Sequence, residues 1–197
     1  MTKEQALKIC KKQDIADALL KCIDVYKMPE DSLDFFLGNI LHESGNFSIK
    51  SENMNYKTPE RLIQIWRSRF NSTNAPQYIN NPSKLANFVY GGRMGNTQPN
   101  DGFNFRGGGY AQITGRDSYT AYTLFLNRRD LTNRTIAEVA ALVMTDNYWA
   151  MDSAFWFFIH FKKLVGVTDF LTVVRRWNGG LIGIEDRKKQ LSFIQSV

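Results

Sequence analysis

The sequence predicts a mainly α-helical protein with at most a small β-hairpin. Three observations carry this. Apolar residues recur at helical spacing over most of the chain, as in Ala6, Ile9, Cys10, Ile15, Ala18, Leu19, Cys22, Ile23 and Tyr26. Residues that start and stop helices flank these stretches. Glycine is concentrated in one block, 91–117, and no internal repeat or low-complexity segment interrupts the pattern. A length of 197 residues with 43% hydrophobic and 13% aromatic content fits one domain, or one domain with two lobes.

Taken in order, residues 3–27 read as amphipathic helix broken near Gln13-Asp14, with Asp14 capping the second part. Asp31 or Ser32 starts the next helix, which ends at about Gly45, a residue suited to the left-handed stop. Residues 46–57 read as loop or short hairpin. Thr58 as N-cap and Pro59 at the first helical position open a helix carrying Leu62, Ile65 and Trp66. An Asn- and Pro-rich loop over 71–81 leads to a short helix from Pro82 to Tyr90. Glycine density over 91–117 excludes regular helix and lets backbone approach a ligand. Helices then cover about 118–127, a segment capped by Thr132 and Asn133, an aromatic run over 145–162, residues 168–177 ended by Asn178-Gly179-Gly180, and 184–196.

Composition narrows the function classes. The net charge of +6 suits an anionic partner, but it is spread over short doublets and one triplet, so a nucleic-acid role has only net charge behind it. Cys10 and Cys22 are twelve residues apart without a CxxC pattern, which leaves buried free thiols or a disulfide between neighbouring helices. His42-Glu43-Ser44-Gly45-Asn46 fails the HExxH zinc pattern at its last position, and no metal or cofactor is expected. The glycine block lacks the order of a phosphate-binding loop. No run of about 18 apolar residues predicts a membrane span. The polar start Met-Thr-Lys-Glu-Gln is not a secretory signal.

The chemistry-bearing stretch is His42-Glu43-Ser44-Gly45-Asn46-Phe47, continued by Ser51-Glu52-Asn53-Met54-Asn55-Tyr56. It sets two carboxylates nine residues apart. Glu43 follows an apolar run, Phe35-Phe36-Leu37-Gly38-Asn39-Ile40-Leu41, and Glu52 lies in a polar loop. An acid against apolar surface and an acid in a wet loop are given different proton affinities, which glycoside hydrolysis requires. The plainer alternative is a helix-end carboxylate and a solvated one. In the glycine block, Arg106, Gln112, Thr114 and Arg116 place directional donors on tight backbone.

Together with Val89-Tyr90-Gly91-Gly92-Arg93-Met94-Gly95-Asn96, Asp101-Gly102, Phe105-Arg106-Gly107, Gln112-Ile113-Thr114-Gly115-Arg116, Asn178-Gly179-Gly180 and Asp186-Arg187, these stretches resemble glycoside hydrolase family 19 in its phage endolysin branch. The resemblance spans about 35 to 190. It implies a lysozyme-like, two-lobed helical fold with a central cleft, and a single catalytic domain over 1–197 without a separate wall-binding domain. It implies Glu43 as general acid, Glu52 as general base and Thr114 as a holder of the attacking water. Gln112 and Asn178 match sugar-binding amides, and Arg187 a cleft arginine that tunes the acidic pair. Tyr56 and Tyr90 are candidates for stacking on sugar, with core packing the alternative for each.

Gly108 stands where the family often has a second arginine, and Ser118 where it often has asparagine; Arg106 and Arg116 are the residues that can supply charge instead. The implied activity is hydrolysis of the β-1,4 bond between N-acetylmuramic acid and N-acetylglucosamine by a two-carboxylate, inverting mechanism. Chitinase, lytic transglycosylase and non-catalytic wall binding are the alternatives. The implied partner is the peptidoglycan glycan strand, met by a monomer with no stable membrane insertion. The protein is expected to fold in a host bacterial cytoplasm and reach the wall through a membrane lesion.

Overall fold

The computed structural model describes residues 1–129 and 133–197. Among these, helices dominate, and the only strand-like features are isolated bridges at Ser51↔Gly108 and Gly108↔Ile113. The chain falls into two compact units: residues 1–50, 109–112 and 142–197 form the first, and residues 51–108 and 113–141 the second.

The first unit begins with α1 (Lys3–Cys10), capped by a reciprocal Thr2–Gln5 pair, and α2 (Gln13–Tyr26). The break between them is the left-handed Lys11. Asp14 lies in the first turn of α2 rather than capping it; its carboxylate instead accepts from the Asn147 amide at 2.6 Å. Cys10 and Cys22 are buried free thiols.

Helix α3 (Glu30–Glu43) starts after Pro29 and is buried without a break from Phe36 to Leu41. Phe36 meets Phe155 and Phe158 at ring-centroid distances of 4.4 and 5.5 Å, and such a ring is worth about 3–5 kcal/mol against alanine. Gly38 lies where α3 packs on α11 (Ile184–Gln195): a Cβ there would stand 3.3 Å from Leu191 Cβ. A mid-helix glycine costs about 1 kcal/mol of helix propensity. Here it permits the close approach on which the site below depends.

The aromatic run divides. Asp146 caps α9 (Asn147–Trp156) through the Tyr148 and Trp149 amides, and Phe157–Phe161 continues as a π-helical turn. α10 (Phe170–Asn178), capped by Asp169, ends at the left-handed Gly179.

The second unit contains α4 (Pro59–Ile65), a 3-10 turn Ala75–Gln77, α5 (Pro82–Tyr90), α6 (Asp101–Asn104) and α7 (Arg116–Arg128). Thr58 takes the N-cap position of α4 without a side-chain bond. Its core is built from Met54, Leu62, Phe70, Ala75, Leu85, Ala86 and Val89. One helical turn, α6, forms inside the glycine-rich block. It requires Gly102, because a Cβ there would stand 2.5 Å from the Ala86 carbonyl oxygen.

α8 (Ile136–Thr145) has its first six residues in this unit and its last four in the first. The expected cap Thr132 lies outside the described residues. Thr135 and Glu138 form the reciprocal capping pair, with amide bonds of 3.3 and 2.8 Å.

Candidate active site

Glu43 is the last residue of α3, and its partner comes from α11. Arg187, 1% exposed, donates through Nη2 to Glu43 Oε1 and through Nη1 to Asn39 Oδ1 at 2.9 Å. Asn39, fully buried one turn before Glu43, donates in turn to the Phe35 carbonyl at 2.7 Å. A guanidinium can be buried here because it is both paired and hydrogen-bonded. One residue along each helix, His42 Nδ1 lies 2.6 Å from Asp186 Oδ2. The His42 ring rests against Gly183, where a Cβ would stand 2.4 Å from Nε2. Thus Gly183 at the N-cap of α11, with Asp186 and Arg187 in its first turn, faces the end of α3.

The residues after Glu43 shape its exit. Gly45, Asn46 and Phe47 are all left-handed, with φ of 55°, 57° and 61°. Two non-glycine residues in this region cost about 1–2 kcal/mol each. Several bonds hold the turn: Phe47 N–H to Ser44 Oγ at 2.8 Å, Asn46 N–H to the Leu41 carbonyl at 2.8 Å, and Ser44 Oγ–H to the Ile40 carbonyl at 2.6 Å. Phe47, 3% exposed, packs edge-on to Tyr110 at 5.0 Å. The Ser-Gly-Asn-Phe of the motif is therefore the mould of the turn.

In the second unit, Glu52 is held at every polar atom of its backbone and side chain. Its N–H donates to the Gly107 carbonyl at 2.8 Å, and its carbonyl accepts from Arg106 Nε at 3.3 Å. Its carboxylate accepts the Tyr90 hydroxyl at 2.7 and 3.0 Å and the Gly107 N–H at 3.2 Å. Tyr90 and the glycine block thus hold this loop carboxylate, unlike the plainer alternative of a solvated surface group. Burial first, and then the Glu52 charge, holds the Tyr90 phenol well above the usual range, so it remains a donor.

Arg106 also donates to Ser51 Oγ at 2.9 Å and to the Phe103 carbonyl at 2.8 Å, so its donors brace the loop that carries Glu52. Arg116 forms a two-pronged pair with the buried Asp101, at 2.8 and 2.5 Å. The Arg116 charge is thus paired with Asp101, whereas the Glu52 and Phe103 carbonyls and the Ser51 hydroxyl that accept from Arg106 are neutral. Gly108 itself is the middle of the bridged ladder Ser51, Gly108, Ile113. That ladder sets Glu52 and Thr114 each one residue beyond a bridge, and Thr114 is half-buried there. Asn96 ties the preceding loop down, donating to the Tyr90 carbonyl at 3.1 Å and accepting the Arg116 N–H at 2.8 Å.

The remaining predicted residues are placed as follows. Tyr56 is partly buried and edge-on to Trp66 at 5.4 Å; burial and then the Glu52 charge raise its phenol. Gln112, left-handed at φ 52°, donates to the Gly109 carbonyl at 2.8 Å. Asn178, exposed at the end of α10, donates to the Ile182 carbonyl at 3.5 Å. Gln112 and Asn178 belong to the unit of Glu43, and Tyr56, Tyr90, Arg106 and Thr114 to that of Glu52. Sequence reasoning missed Asn39. Its signal was an amide in an otherwise apolar helical run, four residues before a candidate acid.

Within its own unit each carboxylate is held by dedicated donors, a charged donor for Glu43 and neutral donors for Glu52. No family model matches the chain. A glycosyl hydrolase family 19 domain-containing protein of Haemophilus influenzae is 36% identical over 157 residues, which cover 78% of this chain and 74% of that protein. That degree and extent of identity, over a helical chain whose motif carboxylates are each held in place, means that the chain belongs to glycosyl hydrolase family 19.

Proposed function

We propose that this glycoside hydrolase is an endolysin that cleaves the β-1,4 bond between N-acetylmuramic acid and N-acetylglucosamine in peptidoglycan. Glu43 is the general acid: it gives its proton to the glycosidic oxygen as the C1–O bond breaks. Glu52 is the general base: it takes a proton from the water whose oxygen bonds to C1 on the opposite face. Thr114 offers a hydroxyl to orient that water. One displacement inverts the anomeric centre and requires the two carboxyls about 6.5–9.5 Å apart in the working complex. The observation that carries the reading is that Glu43 and Glu52 are each clamped, the first by buried Arg187 and the second by Tyr90 and Gly107. Neither has the free rotation of a surface carboxylate.

The peptidoglycan preference rests on the endolysin-like Glu52-Asn53-Met54-Asn55-Tyr56 and Tyr90-Gly91-Gly92-Arg93-Met94-Gly95-Asn96 segments and on a net charge of +6, which suits an anionic wall. In this reading the protein acts as a monomer on the wall after passing a membrane lesion, and the result is lysis. Mass spectrometry of digests of purified peptidoglycan and of chitin oligomers tests it. Reducing-end muropeptides from peptidoglycan, with chitin oligomers left intact, are expected. Chitin cleavage alone makes it a chitinase, and 1,6-anhydro products make it a transglycosylase. Early-time NMR is expected to show the α-anomer first.

A further inference from the structure

We propose that Tyr90 is the positioning residue for the general base, holding the Glu52 carboxylate by its hydroxyl rather than stacking on sugar; this rests on the reading of Glu52 as base. Three observations converge on it. The hydroxyl lies within hydrogen-bond reach of both carboxylate oxygens, at 2.7 and 3.0 Å, so its donor straddles the group. The Gly107 N–H approaches Oε2 at 3.2 Å, so two donors of different origin fix the carboxylate plane. The Tyr90 ring is partly buried and packed against the core of Met54, Leu62, Phe70, Ala75, Leu85, Ala86 and Val89, which fixes the direction in which its hydroxyl points.

The backbone around Tyr90 is built to the same end. Tyr90 is the last residue of α5, and its carbonyl accepts from the buried Asn96 amide at 3.1 Å. Asn96 also accepts the Arg116 N–H at 2.8 Å, and Arg116 is locked to Asp101. The hydroxyl is therefore delivered from a rigid helix end. A neutral donor suits a base: it orients the carboxylate yet adds no charge to oppose proton uptake from water. A base displaced by a fraction of an ångström loses most of its advantage.

The experiment measures kcat and KM on soluble muropeptide chains for Tyr90→Phe, Tyr90→Leu and Glu52→Gln, each at a temperature below its own melting transition. Tyr90→Phe keeps the ring and removes the hydroxyl. It is expected to lower kcat about 10- to 100-fold with KM unchanged. Tyr90→Leu is expected to show at least the same kcat loss. Wild-type kcat in Tyr90→Phe with raised KM in Tyr90→Leu means stacking and overturns the proposal. An equal fall in both variants that tracks a loss of folded protein makes Tyr90 structural only, and overturns it too. Full hydrolysis by Glu52→Gln overturns the base assignment together with this inference, whereas an inactive Glu52→Gln beside a wild-type Tyr90→Phe overturns this inference alone.

Discussion

Neutralising Glu43 is expected to cost stability as well as activity. Arg187 is 1% exposed, and its charge partner is Glu43, whose side chain is 21% exposed. Glu43→Gln leaves that guanidinium with the Asn39 oxygen and one neutral amide oxygen. Removing one partner of a buried ion pair costs about 3–5 kcal/mol. The retained neutral hydrogen bond returns about 1 kcal/mol. The balance, about 2–4 kcal/mol, lowers the melting temperature of a chain of this size by roughly 5–15 °C. Glu52→Gln is the control, because its donors are a phenol and a peptide N–H. It exchanges hydrogen bonds to a carboxylate for neutral ones, a loss of about 1 kcal/mol. Differential scanning calorimetry of wild type, both variants and the double variant Glu43→Gln/Arg187→Met measures this. The double variant removes the orphaned charge and is expected to melt above Glu43→Gln. A Glu43→Gln melting point equal to that of Glu52→Gln, or a double variant below the single one, refutes the reasoning.

Other expectations follow from the same contacts. Burial raises the phenols of Tyr90, Tyr110 and Tyr119 above their unfolded value, so their contribution to stability is complete below about pH 10 and falls as pH rises toward their folded values; melting curves between pH 8 and 11.5 are expected to show a decline that begins near pH 10. The Arg116 hydrogen bonds hold the Asp101 carboxyl below its usual range, so its contribution is present above about pH 4 and lost as pH falls through the lowered value; Asp101→Asn is expected to flatten the acid limb of the stability curve. Gly183→Ala puts a Cβ at 2.4 Å from His42 Nε2 on a backbone with φ of +73° and is expected to cost about 1–3 kcal/mol in a thermal melt. Burial lifts the Cys10 thiol to about 12 and pushes Cys22 well up, so Ellman's reagent is expected to find no fast thiol at pH 8 until denaturant is added.

The helices were legible where local chemistry decides them. Pro82 at a first helical position and Tyr90 before two glycines bounded α5 at its observed ends. Gly179 ended α10 as a left-handed stop. Errors came where tertiary contacts outbid the local signal. Asp14 has a capping side chain but was drawn to Asn147, more than a hundred residues away in sequence. The aromatic run over 145–162 carries no breaker, yet it changes to a π turn at Phe157, where the ring packs edge-on to Trp177 at 5.2 Å. Within the glycine block, Gly102 counted against helix. A single turn formed there nonetheless, and its packing needs that glycine: only a residue without Cβ fits against the Ala86 carbonyl.

The two candidate acids could be picked out in the sequence, and the groups that hold them much less so, for a physical reason. Glycoside hydrolysis calls for a pair of carboxylates, so Glu43 and Glu52 stand out as the two acids of the motif stretch. Their supports need only present a donor at the right point, and many residues can do so. The partner of Glu43 is an arginine from a helix 144 residues later in the chain, and those of Glu52 are a tyrosine and a peptide N–H. A backbone N–H leaves no mark in sequence except the glycine that lets the chain approach. The tyrosine was visible, but its ring suggested stacking, whereas the hydroxyl is what reaches Glu52. Polar residues in apolar settings were the more reliable guide: Asn39 within Phe-Phe-Leu-Gly-Asn-Ile-Leu, and Arg187 at a buried position of α11, cannot be afforded there unless another polar group answers them.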